Sequence, residues 1–217
     1  MPNQTPPNPT RLYRIVHVGN LHILLTRDAL HAHNHTPNDG LTYLTIHNAQ
    51  VQQSRNVKAV PCGPRGVIHD YVPFYFGPHS VMLLNLHTKR VPGYTAGQGP
   101  LIYLVTSVQE VITLGRPFVF SDGHGLASFT HWYDKPAQLD MIDWSLVGQR
   151  QWADTPSDND RKRRKQAEFL VHETLAWQGI EEIGVLNQSA ENQVNQILSQ
   201  FPNRHHPPVK IRHNWYY

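Results

Sequence analysis

Arg161-Lys162-Arg163-Arg164-Lys165-Gln166-Ala167-Glu168-Phe169-Leu170-Val171 joins five consecutive cations to a carboxylate set in an apolar run. The end of this stretch predicts a strand over residues 167–171, on which Glu168 shares a side with Leu170. A carboxylate among inward-facing apolar neighbours is costly unless it is paired or working. Two readings stand open: an active-site acid, or a strand-end glutamate that reaches water or pairs with a nearby arginine. The cations also read two ways, as a solvated turn or as a seat for a polyanion such as nucleic acid. They are five of the 19 Lys and Arg residues, and without them fourteen cations face 16 anions. The basic character is therefore one local feature on a nearly neutral body.

Outward from this stretch, the pattern is of short strands mixed with short helices. Residues 12–18 alternate and predict a strand running into Gly19-Asn20, followed by a helix over 21–30 and a polar, turn-rich loop over 31–40. A short helix or turn is expected at 49–54. Residues 71–76 (Tyr-Val-Pro-Phe-Tyr-Phe) are strongly aromatic, and Pro73 predicts an edge strand or an irregular segment. Residues 81–86 are expected to pack behind it. Residues 101–105, 111–114 and 118–120 read as β-type runs, with a helix over 106–112 as the competing period. Residues 140–151 look helical and 154–160 form a loop by composition. Ser189 is placed to cap a final helix whose Val194, Ile197, Leu198 and Phe201 share a face, and residues 209–212 alternate as a last strand.

With 217 residues, 39% hydrophobic and 16% charged, the chain suits one packed domain. The reading is a flexible arm over residues 1–10, where prolines cluster, and a single α+β domain over residues 11–217. The longest apolar run, residues 101–105, is far short of the roughly 20 residues a spanning helix needs. No apolar segment follows a basic start, so the expected location is cytoplasmic, with no membrane association. Cys62 is the only cysteine, which excludes an intrachain disulfide and any multi-cysteine metal site.

His31-Ala32-His33-Asn34-His35 has the look of a metal box, since alternate imidazoles in an extended segment share a side. It lies in the polar loop, and neither distant ligands nor a hydrogen-bonded second layer can be identified, so a surface loop is expected. Cys62 sits between prolines and a glycine with no evident partner base and reads as a structural thiol. No phosphate-binding Gly-x-x-x-x-Gly-Lys-Ser/Thr loop, no Gly-x-Gly-x-x-Gly after a strand and no Gly-x-Ser-x-Gly occurs.

Five pieces in order carry a resemblance: residues 15–21 (Ile-Val-His-Val-Gly-Asn-Leu), 70–76 (Asp-Tyr-Val-Pro-Phe-Tyr-Phe), 121–124 (Ser-Asp-Gly-His), 161–171 and the closing Trp215-Tyr216-Tyr217. Together they resemble the DarT family, DNA ADP-ribosyltransferase toxins of bacterial toxin–antitoxin pairs. The resemblance implies the ADP-ribosyltransferase fold, a split pair of small antiparallel sheets around an NAD cleft with short helices. It implies transfer of ADP-ribose from NAD to a base of single-stranded DNA, thymidine before guanosine, without a metal.

Carried over residue by residue, Glu168 matches the catalytic glutamate that ends the substrate-recognition loop, and Arg55 matches the second catalytic residue near the NAD-binding element. His17, Val18 and Gly19 match the stretch holding the nicotinamide side of NAD. Thr26 and Asn34 fall near further NAD contacts, and Met82 matches a cleft-lining residue. The family usually has Arg-Ser-Pro-Met where this chain has His79-Ser80-Val81-Met82, which leaves that wall of the cleft open to difference. The expected DNA contacts are His124, Trp152, Arg161, Lys162, Arg163, Arg164 and Lys165, with Tyr71, Phe74 and Tyr75 as further stacking surfaces. On this reading, neutralising Arg163 and Arg164 lowers the salt slope of DNA binding by about 1.8. Implied partners are single-stranded DNA and a DarG-type macrodomain antitoxin, and the enzyme is expected to work as a monomer.

Three other readings compete. One is a transferase of the same fold acting on RNA or protein. The others are a non-catalytic single-strand binding module and, more distantly, a zinc hydrolase built on the histidine loop.

Overall fold

The alternation of residues 11–17 produces strand β1 (Arg11–His17), and a tight turn over Val18–Asn20 leads into helix α1 (Leu21–Arg27). The structure is a computed structural model that describes residues 4–217. Helix α1 ends before the expected residue 30 because Asp28 turns left-handed (φ 53°), and the chain continues as β2 (Ala29–His31). Then come α2 (Ala49–Val57), capped by the Asn48 side chain, β3 (Tyr71–Tyr75), and α3 (Val81–His87), capped by Ser80. Strand β4 (Leu101–Ser107) is buried along its whole length, and Ser107 then caps α4 (Val108–Thr113). The ambiguous run thus divides into a strand and a helix, and Val111 and Ile112, read as a β-type run, belong to the helix.

The remaining elements are β5 (Phe118–Ser121), β6 (Trp132–Tyr133), α5 (Trp144–Val147), α6 (Arg161–Lys165), β7 (Glu168–His172), β8 (Thr174–Ala176), β9 (Glu182–Val185), α7 (Gln188–Ser199) and β10 (Val209–Ile211). The helix expected over 140–151 shrinks to the single turn of α5, capped by Asp143, while the basic run is itself the short helix α6. Helix α7 is capped by Asn187 rather than Ser189: extended Asn187 accepts the Ala190 N–H at 3.0 Å.

Eight strands form one sheet in the order β10-β9-β4-β1-β3-β7-β5-β6, and β2 pairs with β8 in a second, two-stranded sheet. Within the large sheet only β9 and β10 run parallel. The expected split is visible in the register. β1 pairs with β4 from Arg11↔Ser107 to His17↔Leu101, and β3 with β7 from Tyr71↔His172 to Tyr75↔Glu168, but β1 meets β3 only at Tyr13↔Tyr75. Two four-stranded halves are joined by one residue pair, and a cleft opens beside that seam.

The seam also explains Pro73. Strand β3 is interior to the sheet, contrary to the edge position expected from the proline. Pro73 lies where the β1 ladder has already parted, so its missing N–H interrupts nothing, and its carbonyl accepts the Arg14 guanidinium at 2.9 Å instead of a backbone N–H. Of the expected flexible arm over residues 1–10, residues 1–3 lie outside the described residues. From Gln4 the chain is tied down: Gln4 accepts the Ser145 N–H at 2.8 Å, and Thr10 donates its N–H to Gln109 at 3.0 Å.

The main core packs α1, α4 and α7 against one face of the sheet through Leu21, Leu25, Val111, Val194 and Trp177. The opposite face of the β1–β4 half is covered by Leu83 and Leu86 of α3 and by the C-terminal Trp215 and Tyr216. Among the described residues no helix is long and apolar enough to cross a membrane.

Candidate active site

Glu168 opens β7 at the seam, 3% exposed. Its carboxylate is gripped from both sides. Arg55, near the end of α2, donates Nη1 to Oε1 at 3.1 Å and Nη2 to Oε2 at 2.9 Å, and the Gly125 N–H approaches Oε1 at 3.4 Å. Burial pushes the carboxyl pKa up, but Arg55, His124 and the Gly125 amide outweigh it and hold Glu168 below its ordinary value. Glu168 is therefore an anion at neutral pH. Burial works against the charge of Arg55, and Glu168 restores it. The partner comes from a distant helix rather than from the adjacent basic run.

The pair lies in a cleft of about 320 Å³ whose lining includes Arg14, Asn20, Tyr75, Met82 and His124. Burial, offset in part by Glu168, lowers the His124 pKa, so its imidazole is neutral at pH 7 and can accept a proton. Tyr75 stands across the ladder from Glu168, with burial and the carboxylate raising its phenol pKa. Arg14 is pushed down to about 10 by burial and stays cationic. Among the described residues no carboxylate lies within ion-pair distance of it, so its positive charge is left for an anionic ligand.

Residues 36–48 fold over this cleft. The Asn20 side chain clamps Leu44 by donating to its carbonyl at 2.9 Å and accepting its N–H at 2.7 Å. Arg27 holds Asp39 at 2.6 and 2.8 Å and stacks on Tyr43. Gly19 makes the approach possible: a Cβ there would stand 2.7 Å from the Leu44 Cδ1 atom and 3.1 Å from the His17 Nδ1 atom. His17 accepts the Gly19 N–H at 3.0 Å, shaping the turn at the end of β1.

The other sequence candidates divide. Met82 lines the cleft, while Val18 is buried in the core. Thr26 is exposed on α1 with its hydroxyl on the His22 carbonyl, and Asn34 donates to Asp70 at 2.8 Å; neither lines the cleft. Trp152 is not a surface platform. It packs against Val81 and Leu146 and donates its indole N–H to the Tyr217 hydroxyl. Tyr71 and Phe74 are also core residues, which leaves Tyr75 as the expected stacking aromatic that is partly open.

The basic run differs most from expectation. Arg163 is bound by Asp160 at 2.7 Å through two nitrogens and by Asp122 at 2.8 Å. Arg164 is buried between Asp143 and Asp158. The Lys165 ammonium is buried against the carbonyls of Pro78, Val147 and Gln149, and burial pushes its pKa down to about 7. Arg161 is spent on Gln149, Gln151 and Ala153, which leaves Lys162 as the exposed member. The run looked free because the acidic loop before it was read separately, although that loop, Asp122 and Asp143 supply the counter-charges and backbone carbonyls hold Lys165.

His33 and His35 are exposed, as expected of a surface loop, and His31 and His33 also border the cleft. His33 rests on His69 with ring centroids 4.4 Å apart, and the His69 Nε2 atom faces the Gln52 Oε1 atom at 3.0 Å. Among the described residues no three His, Cys, Asp or Glu side chains converge as a metal site would require.

A guanidinium-bound carboxylate at the floor of a cleft, beside a neutral imidazole and an unpaired arginine, suits the stabilisation of a developing cation and the capture of a proton. The sequence model of the family described as DarT, ssDNA thymidine ADP-ribosyltransferase, matches residues 13–217. The chain belongs to the DarT family. A DNA ADP-ribosyl transferase of Thermus sp. strain 2.9 is 42% identical over 214 residues, 99% of each chain. The solved structure of Thermus sp. 2.9 DarT with ADP-ribosylated single-stranded DNA superposes with a TM-score of 0.92 at 41% identity, covering 99% of this chain and 100% of that one. The same protein with NAD+ gives 0.87 at 40% identity over 98% of this chain and 100% of that one.

Arg14, His47, Gln52 and His69 are cleft residues that the sequence reading missed. For Arg14 a signal existed. On β1 it shares a face with Leu12 and Val16, the same anomaly that singled out Glu168.

Proposed function

We propose that Glu168 and Arg55 carry the NAD-dependent transfer of ADP-ribose to thymidine of single-stranded DNA that defines the DarT family. The observation that carries this assignment is the two-point Arg55–Glu168 pair at the floor of the cleft. A cleft of about 320 Å³ with an uncompensated Arg14 in its wall fits a dinucleotide whose pyrophosphate needs a counter-charge. The family resemblance assigns His17 and Gly19 to the nicotinamide side and Met82 to the cleft wall; of these Met82 lines the cleft, and His17 and Gly19 shape the turn beside it.

As the bond between ribose C1′ and the nicotinamide nitrogen breaks, its electron pair leaves with the now neutral nicotinamide, and positive charge builds on the ribose. The fixed Glu168 carboxylate stabilises that charge. A thymine ring nitrogen attacks C1′ and gives up its proton to the neutral His124 imidazole. Arg55 remains protonated, so it is no conventional base; its guanidinium faces the negative charge that gathers on the base oxygens.

The test is direct. The protein is incubated with NAD and oligonucleotides with and without thymidine, and the products are weighed by mass spectrometry. A gain of one ADP-ribose confined to thymidine-containing strands is expected. DNA binding without NAD consumption would instead favour a binding module, and modification of RNA or protein alone would move the substrate. Within the cell we assign the protein a cytoplasmic, monomeric toxin role countered by a DarG-type macrodomain. The wild-type gene should then be poorly tolerated without that partner, and Glu168→Ala well tolerated.

A further inference from the structure

Phe129, the one phenylalanine on the loop that joins β5 to β6, is 62% exposed. It is not a stray ring. The Arg163 guanidinium lies over one face, 4.9 Å from the centroid. Arg163 is itself immobilised by Asp160 and Asp122, so its charge is already matched and its role at this ring is to hold a plane in place. The opposite face is left to solvent.

The loop is as firmly held as the ring. The His124 N–H donates to the Arg163 carbonyl at 3.0 Å, and the His124 carbonyl accepts both the Ala127 N–H at 2.9 Å and the Thr130 hydroxyl at 2.8 Å. Asp122 takes the His131 N–H at 3.0 Å and its ring at 3.1 Å, closing the base of the loop. The Arg163 side chain fills the space beside Gly123, where any Cβ would collide with it. The loop also touches the chemistry directly, through Gly125 on the Glu168 carboxylate and His124 in the cleft wall. Phe129 is four residues beyond Gly125, within about 15 Å by chain length alone.

Resting on the ADP-ribosyltransferase reading above, we propose that Phe129 is a stacking platform for the nucleobase next to the reacting thymidine. A flat apolar face, one side backed by a neutralised guanidinium and the other open, matches the face of an unpaired base. Its continuity with His124 and Gly125 places that base beside the reacting one, and the exposed Lys162 on α6 supplies charge for the backbone. The platform sets orientation and sequence tolerance. Because stacking accepts any base, it distinguishes a base from a gap better than one base from another.

The experiment uses oligonucleotides with a single thymidine in which each neighbour is replaced in turn by an abasic nucleotide, on wild type, Phe129→Ala, Phe129→Leu and Phe129→Trp. On the intact oligonucleotide, Phe129→Ala and Phe129→Leu should raise the oligonucleotide KM by about 5- to 100-fold, and Phe129→Trp should restore it. One abasic neighbour should cost the wild type a similar factor and cost Phe129→Ala almost nothing further. Equal abasic penalties in both proteins, an unchanged KM in Phe129→Ala, or full rescue by Phe129→Leu would overturn the platform. If the wild type itself modifies no oligonucleotide, it is the transferase reading that fails, so the two failures are distinguishable.

Discussion

Arg55 with Glu168 and Arg164 with Asp143 are both buried guanidinium–carboxylate pairs, formed across 113 and 21 residues of chain. Their surroundings differ. The first is bordered by a cleft, a neutral His124 and an unpaired Arg14, so its groups can exchange one another for a substrate. The second is enclosed by protein: Asp158 and Asp160 also approach Arg164, and the neighbouring Lys165 pins the carbonyls of residues 78, 147 and 149. The lesson is that a buried ion pair points to chemistry only when something other than protein can reach it. The basic helix α6 acts chiefly as a clamp on the long loop between β6 and β7, and delivers Glu168 at its end.

Removing the cleft arginine should break the comparison most sharply. Arg55→Ala should lower transfer by about 10²- to 10³-fold. It should also free the Glu168 carboxyl to follow its burial, so its pKa rises and any residual rate appears only at higher pH than in wild type. A rate–pH profile checks this. Full activity in Arg55→Lys together with loss in Arg55→Ala would count against the two-point contact.

At the second pair the effect should fall on stability alone. Arg164→Met leaves Asp143 buried without its partner, which typically costs about 3–5 kcal/mol. Denaturant melts should register that loss, while the turnover of the molecules still folded stays close to wild type. A DNA-affinity defect with unchanged stability would reverse the assignment.

Smaller again is the salt effect. With Arg163 and Arg164 already paired to carboxylates, the fall of about 1.8 expected for neutralising them no longer follows. Instead Lys162→Ala should lower the slope of log affinity against log salt by about 0.7, one single-strand phosphate contact.

The smallest expected effect lies at His69, whose pKa burial, with His33 and Arg55, pushes down to about 4. The folded state then binds fewer protons than the unfolded state between pH 6.5 and 4. Solvent in the cleft screens the ring, so stability should fall only gently as pH drops through that window. His69→Gln should flatten the slope.

Much of this was legible in the sequence. Glu168 and Arg14 both stand on apolar faces of alternating strands, and only pairing or a cleft can justify that. The strand over 12–18 and the final helix were readable from their periodicity, although the cap of that helix falls on Asn187 rather than Ser189. What stayed hidden depended on long-range contact. Pro73 lies in an interior strand because the sheet parts beside it, which no local pattern discloses. Arg163, Arg164 and Lys165 looked solvated because Asp122, Asp143 and the backbone carbonyls that neutralise them are brought in by the fold. Trp152 looked available for stacking until Tyr217 took its indole N–H.

The most direct test of the central claim is the transfer activity of Glu168→Gln, measured by the mass of a thymidine-containing oligonucleotide after incubation with NAD. The substitution keeps size and one acceptor for Arg55 but removes the charge facing the ribose. With the variant's fold verified by melting, the account predicts an unmodified oligonucleotide. An oligonucleotide carrying ADP-ribose at the wild-type rate would contradict it.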